Sequence, residues 1–296
     1  MVKVISTVED MQRHVEDLRQ AGRRIACVPT MGFLHDGHMS LMRIARRRAD
    51  ILVVTIFVNP AQFGPGEDFE TYPRNPERDI KLCAGEKVDI VFTPAAADLY
   101  PDGFQSHVTL EHLPHHLCGL SRPVFFTGVA TVVAKLFNII RPHIAVFGEK
   151  DYQQLLVIRR LVKDLNFNIE IIGGPIVREK DGLAMSSRNA YLTYDQRPSA
   201  LTLGRALERA GKRVEAGERD AARLLKEARD LIAAHPENQI DYLTICDPET
   251  LIQVEHIDRP ALMALAVKVG RTRLIDNTIL RVPASGDRSL GYDMPV

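Results

Sequence analysis

The residues best suited to chemistry lie in one short stretch, Pro29-Thr-Met-Gly-Phe-Leu-His-Asp-Gly-His-Met-Ser-Leu41. His35 and His38 stand three apart, so at the start of a helix their rings share a face. Two imidazoles in that place can donate hydrogen bonds to phosphate oxygens. Such bonds strengthen as charge builds in a phosphoryl-type transition state. Gly37 between them lets backbone and phosphate approach closely. The alternatives are a metal pair, for which no third ligand follows at a suggestive spacing, and a plain turn with surface histidines. Position favours the nucleotide reading. The stretch follows a strand-like run, Ile25–Val28, and opens a helical pattern, and a helix N-terminus offers a phosphate free N–H groups and partial positive charge.

Three further stretches carry compatible chemistry. Phe147-Gly-Glu-Lys-Asp-Tyr-Gln-Gln-Leu155 again links a strand to a helix. Gly148 suits backbone contact with a ribose or base edge, and Lys150 is a mobile point charge for phosphates. Asp151 either accepts from ribose hydroxyls or caps the helix; taken alone, the stretch reads as a capped helix start. Lys180-Asp-Gly-Leu-Ala-Met-Ser-Ser-Arg-Asn189 sets small hydroxyls beside Arg188, which suits a mobile loop closing on a triphosphate. An interdomain linker with a turn at Asp181-Gly182 is the plainer alternative. Phe57-Val-Asn-Pro-Ala-Gln-Phe63 puts Gln62, a neutral polar group, just beyond a strand, where it could hydrogen-bond a small hydroxy acid. His112-Leu-Pro-His-His-Leu-Cys118 resembles a metal cluster in composition, but its spacing is irregular and a solvated loop is the expected form.

These residues need a scaffold, and the apolar periodicity supplies one. Ile51–Val58 reads as a buried strand, and residues 38–49 carry Leu41, Ile44 and Ala45 on one helical face. Strand, helix, strand over so short a span is a βαβ unit and implies a parallel sheet. The pattern recurs in a helix over Gly128–Ile140, a strand over Ile144–Phe147, a helix over Asp151–Leu165 and a strand over 168–172. Repeated units argue for a doubly wound α/β sheet, whose ligands sit beyond the carboxyl ends of its strands. After about residue 176 the rhythm changes. Thr193-x-x-Gln196 reads as a capping box opening a helix through Ala210. A second helix spans Asp220–Ala234 and stops before Pro236. Strand-like runs follow at Ile240–Cys246, Leu262–Val269 and Arg273–Leu280. This is a small α+β unit, so the expected division is 1–176 and 177–296, with a loose tail from about residue 283.

The bulk numbers exclude other classes. Thirty-eight Lys plus Arg balance 38 Asp plus Glu in 296 residues, which gives no reason to expect nucleic acid as the main partner. Anionic ligands must instead be held by local positive groups. Hydrophobic residues at 45% and charged residues at 26% suit a globular enzyme and not a disordered chain. No run reaches the ~18 apolar residues of a membrane span, and the first residues, MVKVISTVEDMQRH, do not read as a signal peptide. Cys27, Cys83, Cys118 and Cys246 form no C-x-x-C, so reduced, mostly buried thiols in a cytoplasmic protein are expected.

Together, PTMGFLHDGH, TIFVNPAQF, DFETYPRN, GVATVVAKLFNIIRP, FGEKDYQQL and DGLAMSSRNAYL resemble the pantothenate synthetase family. That family belongs to the nucleotidyltransferase-like superfamily with an H-x-G-H signature. The match covers most of residues 24–197 in order and with family-like spacing, and is looser beyond. The resemblance implies a Rossmann-like nucleotide-binding domain, a C-terminal lid domain and a homodimer. It also implies two chemical steps: ATP and pantoate give pantoyl-adenylate and pyrophosphate with Mg²⁺, then β-alanine attacks, releasing AMP and pantothenate. By position it makes His38 the catalytic histidine, with His35 its phosphate-binding companion. ATP would be bound by Met31, Gly32, Phe33, Leu34, His35, Asp36, Gly37 and His38, by Gly148, Glu149, Lys150 and Asp151, and by Val177, Met185, Ser186, Ser187 and Arg188. Gln62 and Gln154 would hold pantoate, with Gln62 also near β-alanine, and Asp79 would be a weaker candidate for ordering Mg²⁺ beside the alternative of a helix-surface residue. One departure stands out. Arg122-Pro-Val-Phe-Phe-Thr-Gly-Val129 carries Phe125 where the family usually has His, replacing a ring nitrogen by an apolar face. The rival readings are a nucleotidyltransferase that leaves the nucleotidyl group on its product, against which Gln62 and Gln154 argue, and a non-catalytic metal-binding regulator built on 112–118.

Overall fold

In the computed structural model the described residues are 2–283; the tail expected to be loose lies outside them except for its first residue. The first half is built from β1 (Lys3–Ile5), α1 (Val8–Gln20), β2 (Ile25–Thr30), α2 (Asp36–Arg46), β3 (Ile51–Ile56), α3 (Pro76–Gly85) and β4 (Ile90–Phe92). Two one-turn helices follow, α4 (Ala96–Leu99) and α5 (Cys118–Ser121), and then α6 (Phe125–Ile140), β5 (Ile144–Gly148), α7 (Tyr152–Asp164) and β6 (Glu170–Gly174). The six strands form one sheet in the order β1-β4-β3-β2-β5-β6, and each neighbouring pair is parallel. From β2 the chain moves one way through β3 and β4 and the other way through β5 and β6. The order reverses between β2 and β5, and a ligand crevice is expected there.

Sequence explains the layers. The central strands are buried on both faces, as in Ile25–Val28 and Leu52–Thr55, because helices cover both sides of a parallel sheet. Alternate strand residues divide between two cores. Ile25, Cys27 and Val53 pack under α1, α6 and α7, and Ala26, Val28, Leu52 and Val54 pack under α2. Helix α6, FFTGVATVVAKLFNII, is apolar nearly all round and accordingly nearly all buried. It begins at Phe125, three residues before the expected start.

The second half holds α8 (Arg197–Glu215), α9 (Ala221–Ala233), β7 (Asn238–Cys246), β8 (Ala261–Val269) and β9 (Thr272–Leu280). The strands form an antiparallel sheet in that order. Strand β8, ALMALAVKV, is buried except at Lys268. Met263, Leu265 and Val267 meet the α8–α9 core, and Leu262 and Ala264 pack with Leu117 and Leu156 of the first half. A strand covered on both faces needs an unbroken apolar run, and this one has it.

Local corrections have local causes. Helix α8 starts four residues after Thr193. Gln196 does accept the Thr193 N–H, at 3.2 Å, but inside a turn that precedes the helix. Pro198 then sits in the first turn, where its missing N–H costs nothing. The helix also runs past Ala210 to Glu215. Strand β6 begins at Glu170 and not at 168, because Ile169 N–H folds back to Phe167 O and the first residue paired with β5 is Glu170, opposite Ile144. All four cysteines are buried and unbridged. Among the described residues no helix is long and apolar enough to cross a membrane.

Candidate active site

Strands β3, β2 and β5 lie side by side, and their carboxyl ends lead into three of the stretches singled out from sequence. All three open on one cleft, which Val177 and Met185–Arg188 also line.

Beyond β2, the backbone must turn sharply to reach α2. Gly32 adopts φ +84° and Phe33 φ +49°, a left-handed pair that is costly for a non-glycine residue. Asp79 of α3 stabilises it. Its carboxylate is 1% exposed and accepts the Phe33 N–H at 2.7 Å and the Leu34 N–H at 2.8 Å. Arg78 donates to Leu34 O at 2.9 Å from the same helix turn. Asp79 is thus a buried clamp on the motif loop, not a helix-surface residue.

The clamp delivers His35 to the N-cap of α2. His35 N–H donates to Nδ1 of His38 at 3.3 Å. With Nδ1 accepting, the neutral His38 ring carries its proton on Nε2 and keeps a donor. The two ring centroids lie 4.0 Å apart. Burial, and next the Lys150 charge, lowers the His35 pKa to about 4. Burial holds His38 well below its ordinary value too, with His35 and Lys150 adding to the effect. Both rings are therefore neutral at pH 7 in this state. His35 Nδ1 is buried with no hydrogen-bond partner among the described residues.

Beyond β5, Glu149–Asp151 form a single 3-10 turn before α7 begins at Tyr152. Gly148, Lys150, Asp151 and Gln154 line the cleft. Asp151 occupies the N-cap position of α7 without making a side-chain cap bond, so of its two readings the structure leaves the carboxylate to the cleft. Lys150 makes no ion pair among the described residues.

Beyond β3, Gln62 ends a 3-10 turn and is buried at 7% exposure. Asn59 donates to Gln62 Oε1 at 2.9 Å and to Gly128 O at 3.1 Å, and Tyr100 donates to Asn59 Oδ1 at 2.8 Å. Gln62 Nε2 remains as a donor. The turn sits so close to α6 that a Cβ on Gly128 would lie 2.1 Å from Ala61 O; no other residue fits there without displacing one element.

The 177–188 segment is closed by the Met185 N–H donating to Val177 O at 2.9 Å. Ser187 donates to Phe33 O at 3.3 Å, joining the segment to the motif loop. Arg188 makes a two-pronged pair with Asp68, at 2.9 and 2.8 Å. Burial opposes ionisation of Asp68, but the Arg188 hydrogen bonds prevail and hold its carboxyl below its usual value.

Of the residues expected at the site, Met31, His35, Gly37, His38, Gln62, Gly148, Lys150, Asp151, Gln154, Val177, Met185 and Ser186–Arg188 line the cleft together. Gly32, Phe33, Leu34, Asp36, Glu149 and Asp79 do not. Leu34 is packed into the core at 1% exposure, Phe33 lies under the Arg78 guanidinium, Asp36 is exposed on the first turn of α2, and the Glu149 side chain lies against Gly173. Phe125 does line the cleft, with the Arg122 guanidinium 3.9 Å above its ring. Arg122 also pairs with Glu67 and donates to Gln62 O at 3.1 Å, so the apolar face of Phe125 is used as a cation seat. In the 112–118 segment His112 and His115 are exposed and Cys118 is buried. Among the described residues no group of three or more His, Cys, Asp or Glu is disposed to hold a metal. The segment is braced by Gln153, which donates to Leu113 O and His116 O at 2.8 and 2.7 Å and accepts the Cys118 N–H at 3.0 Å.

Sequence reasoning missed Asn59, Asp68 and Gln153. Asn59 was visible inside a quoted motif, beside Pro60 at a strand end. Asp68 and Gln153 also lie inside quoted motifs, but nothing local marks their roles, since their partners lie 120 and 35 residues away.

The family described as Pantoate-beta-alanine ligase matches residues 3–279. The pantothenate synthetase of Syntrophobacter fumaroxidans is 57% identical over 283 residues, covering 96% of this chain and all of its relative. That of Geobacter sulfurreducens is 55% identical over 279 residues, covering 94% and 99%. Among solved structures, pantothenate synthetase from Thermus thermophilus superposes with a TM-score of 0.90 at 43% identity, covering 95% of this chain and 100% of that one. The pantoate-beta-alanine ligase from Francisella tularensis, complexed with beta-gamma ATP and beta-alanine, superposes at 0.79 with 32% identity, covering 94% and 98%.

Proposed function

The chain belongs to the pantoate–β-alanine ligase family, and from that premise we propose that it joins pantoate to β-alanine through a pantoyl-adenylate formed from ATP. The observation that carries the reading is the convergence of three strand ends, which aim His38, Gln62 and Lys150 into one cleft. The triphosphate lies across the start of α2, where backbone N–H groups, His35 and His38 face it. Lys150 supplies mobile charge, and Arg188 exchanges Asp68 for phosphate oxygens when the nucleotide arrives. Gln62, held by Asn59, and Gln154 orient pantoate so that its carboxylate lies in line with the α-phosphorus.

In the first step a carboxylate oxygen forms a bond to the α-phosphorus and the bond to pyrophosphate breaks. His38 Nε2–H donates to the charge that develops on phosphate oxygens, and it does so without first losing a proton elsewhere because its Nδ1 is an acceptor. In the second step the β-alanine amine attacks the acyl carbon, AMP departs, and the amine gives up a proton. The 177–188 segment, tied to the motif loop by Ser187, keeps water from the mixed anhydride.

Mg²⁺ belongs to this reading as the counter-ion of the triphosphate. Asp79 does not fit a direct ligand role, since both its oxygens already accept backbone N–H groups; an ion of this kind keeps its waters and binds chiefly through substrate phosphates. The division at 176/177, the second half acting as a lid, the homodimer and a cytoplasmic location complete the proposal. Light scattering on the purified chain tests the dimer directly. Product analysis tests the chemistry: with ATP, pantoate and β-alanine the enzyme should yield AMP and pyrophosphate in equal amounts with pantothenate. Release of ADP and phosphate would mean an acyl-phosphate route and overturn the adenylate.

A further inference from the structure

The loops that face the nucleotide come from the larger sheet and from the 177–188 segment, yet both are fastened to one dipeptide on the edge strand of the smaller sheet. Asn277 is 6% exposed. Its Nδ2 donates to Glu149 O at 3.0 Å and to Lys150 O at 2.9 Å, occupying two of the three carbonyls of the turn that carries the Lys150 ammonium. Its neighbour Asp276 is 3% exposed and takes Arg178 in a two-pronged pair at 2.7 and 3.1 Å. Arg178 also donates to Gly182 O at 3.1 Å, which bridges the segment that leads to Ser186, Ser187 and Arg188. Asp276 Oδ1 accepts the Asn277 N–H at 2.8 Å, so the pair is internally linked. Adjacent strand residues point to opposite faces, and here one side chain holds each loop.

We propose that Asp276 and Asn277 are positioning residues for ATP, setting Lys150 and the Ser186–Arg188 segment at a fixed separation from the wall of the cleft that they themselves line. Neither touches the reacting atoms. An asparagine side chain suits the first task because it can give two N–H bonds to two carbonyls, which an aspartate cannot. A buried carboxylate suits the second, because an arginine fork needs a two-oxygen partner. The consequence is that the nucleotide site is complete only when β9 is docked on the turn after β5, so the smaller sheet contributes to nucleotide affinity through the placement of Lys150 and the 186–188 segment.

This inference rests on Lys150 meeting ATP, and the test separates the two. Calorimetry with a non-hydrolysable ATP analogue and Mg²⁺ is run on the wild type, Asn277→Ala, Lys150→Ala and the double variant, with KM values for pantoate and β-alanine alongside. Asn277→Ala should weaken the analogue about tenfold or more, the scale of losing bonds that aim a charged group, while both other KM values stay within about twofold. In the Lys150→Ala background the same change should cost less than about threefold, because the aimed charge is gone. Asn277→Ser, which keeps one donor, should fall between, and it serves if Asn277→Ala does not fold. Equal losses in both backgrounds would make Asn277 a structural residue only and overturn the proposal, as would unchanged analogue affinity in folded Asn277→Ala. An unaffected Lys150→Ala would remove Lys150 from the site and this role with it, and a wild type that binds no analogue would overturn the function reading itself.

Discussion

At the scale of single residues, the site works through groups whose state is set by their neighbours. His38 is the sharpest case. Its Nδ1 is committed to the His35 N–H, so Nε2–H is what it offers a phosphate. His38→Ala should reduce adenylate formation by about 10²–10³, the usual loss for one transition-state donor, while the variant remains folded. Rapid-quench measurement of pantoyl-adenylate checks it; formation within threefold of wild type would contradict the assignment. The two lowered histidines also predict how stability depends on pH. In the unfolded chain both rings protonate near 6.5, whereas in the folded chain His35 protonates only at about 4 and His38 is likewise displaced downward. Between those values the unfolded state binds more protons, so stability falls as pH drops from about 6.5 towards 4. Urea midpoints at pH 7 and pH 5 should differ in that direction, and His35→Gln should lessen the difference. The two signature histidines and Gln62 were legible from residue type and spacing. What holds them was not: Asp79 lies 46 residues from Phe33 in sequence, and a lone aspartate on a helical pattern carries no mark of burial.

At the scale of elements, the strands announced themselves because a parallel sheet covered on both faces demands continuous apolar runs, as at Ile51–Ile56 and Ile144–Phe147. Helix starts were harder. Helix α6 begins at Phe125, ahead of Gly128, because an aromatic pair can enter a first turn without any capping residue to advertise it. The Thr193/Gln196 pair shows the reverse error: the capping pattern is half formed, but it closes a turn before the helix. Gly128 shows how an element interface governs the site. It lets α6 lie against the turn that ends in Gln62, and Asn59 then bonds across the contact. Gly128→Ala should force the two apart. We expect about 1–3 kcal/mol of lost stability, typical of overpacking, together with a raised KM for pantoate. Denaturant unfolding and steady-state kinetics check both; a variant with wild-type stability and unchanged KM would show that the contact does not set Gln62.

At the scale of the whole molecule, six parallel strands and a three-stranded antiparallel sheet meet through Leu117, Leu156, Leu262 and Ala264. The existence of both parts was legible, since repeated βα units give way to helices followed by strands near residue 176. Their docking was not, because the polar pairs that join them, Asn277 with the 149–150 carbonyls and Ser187 with Phe33 O, connect residues up to 154 positions apart and follow no period. The docked arrangement bears on the proposed mechanism, in which the cleft is complete over ATP and pantoate before any amine is needed. Holding carboxylate and α-phosphorus in line can be worth roughly 7–11 kcal/mol at best, and that advantage exists without β-alanine. The most direct test is therefore isotope exchange. With pantoate and Mg²⁺ present and β-alanine absent, labelled pyrophosphate should pass into ATP, and omission of pantoate should abolish the exchange. Exchange that strictly requires β-alanine, or that proceeds without pantoate, would contradict an adenylate formed first in this cleft.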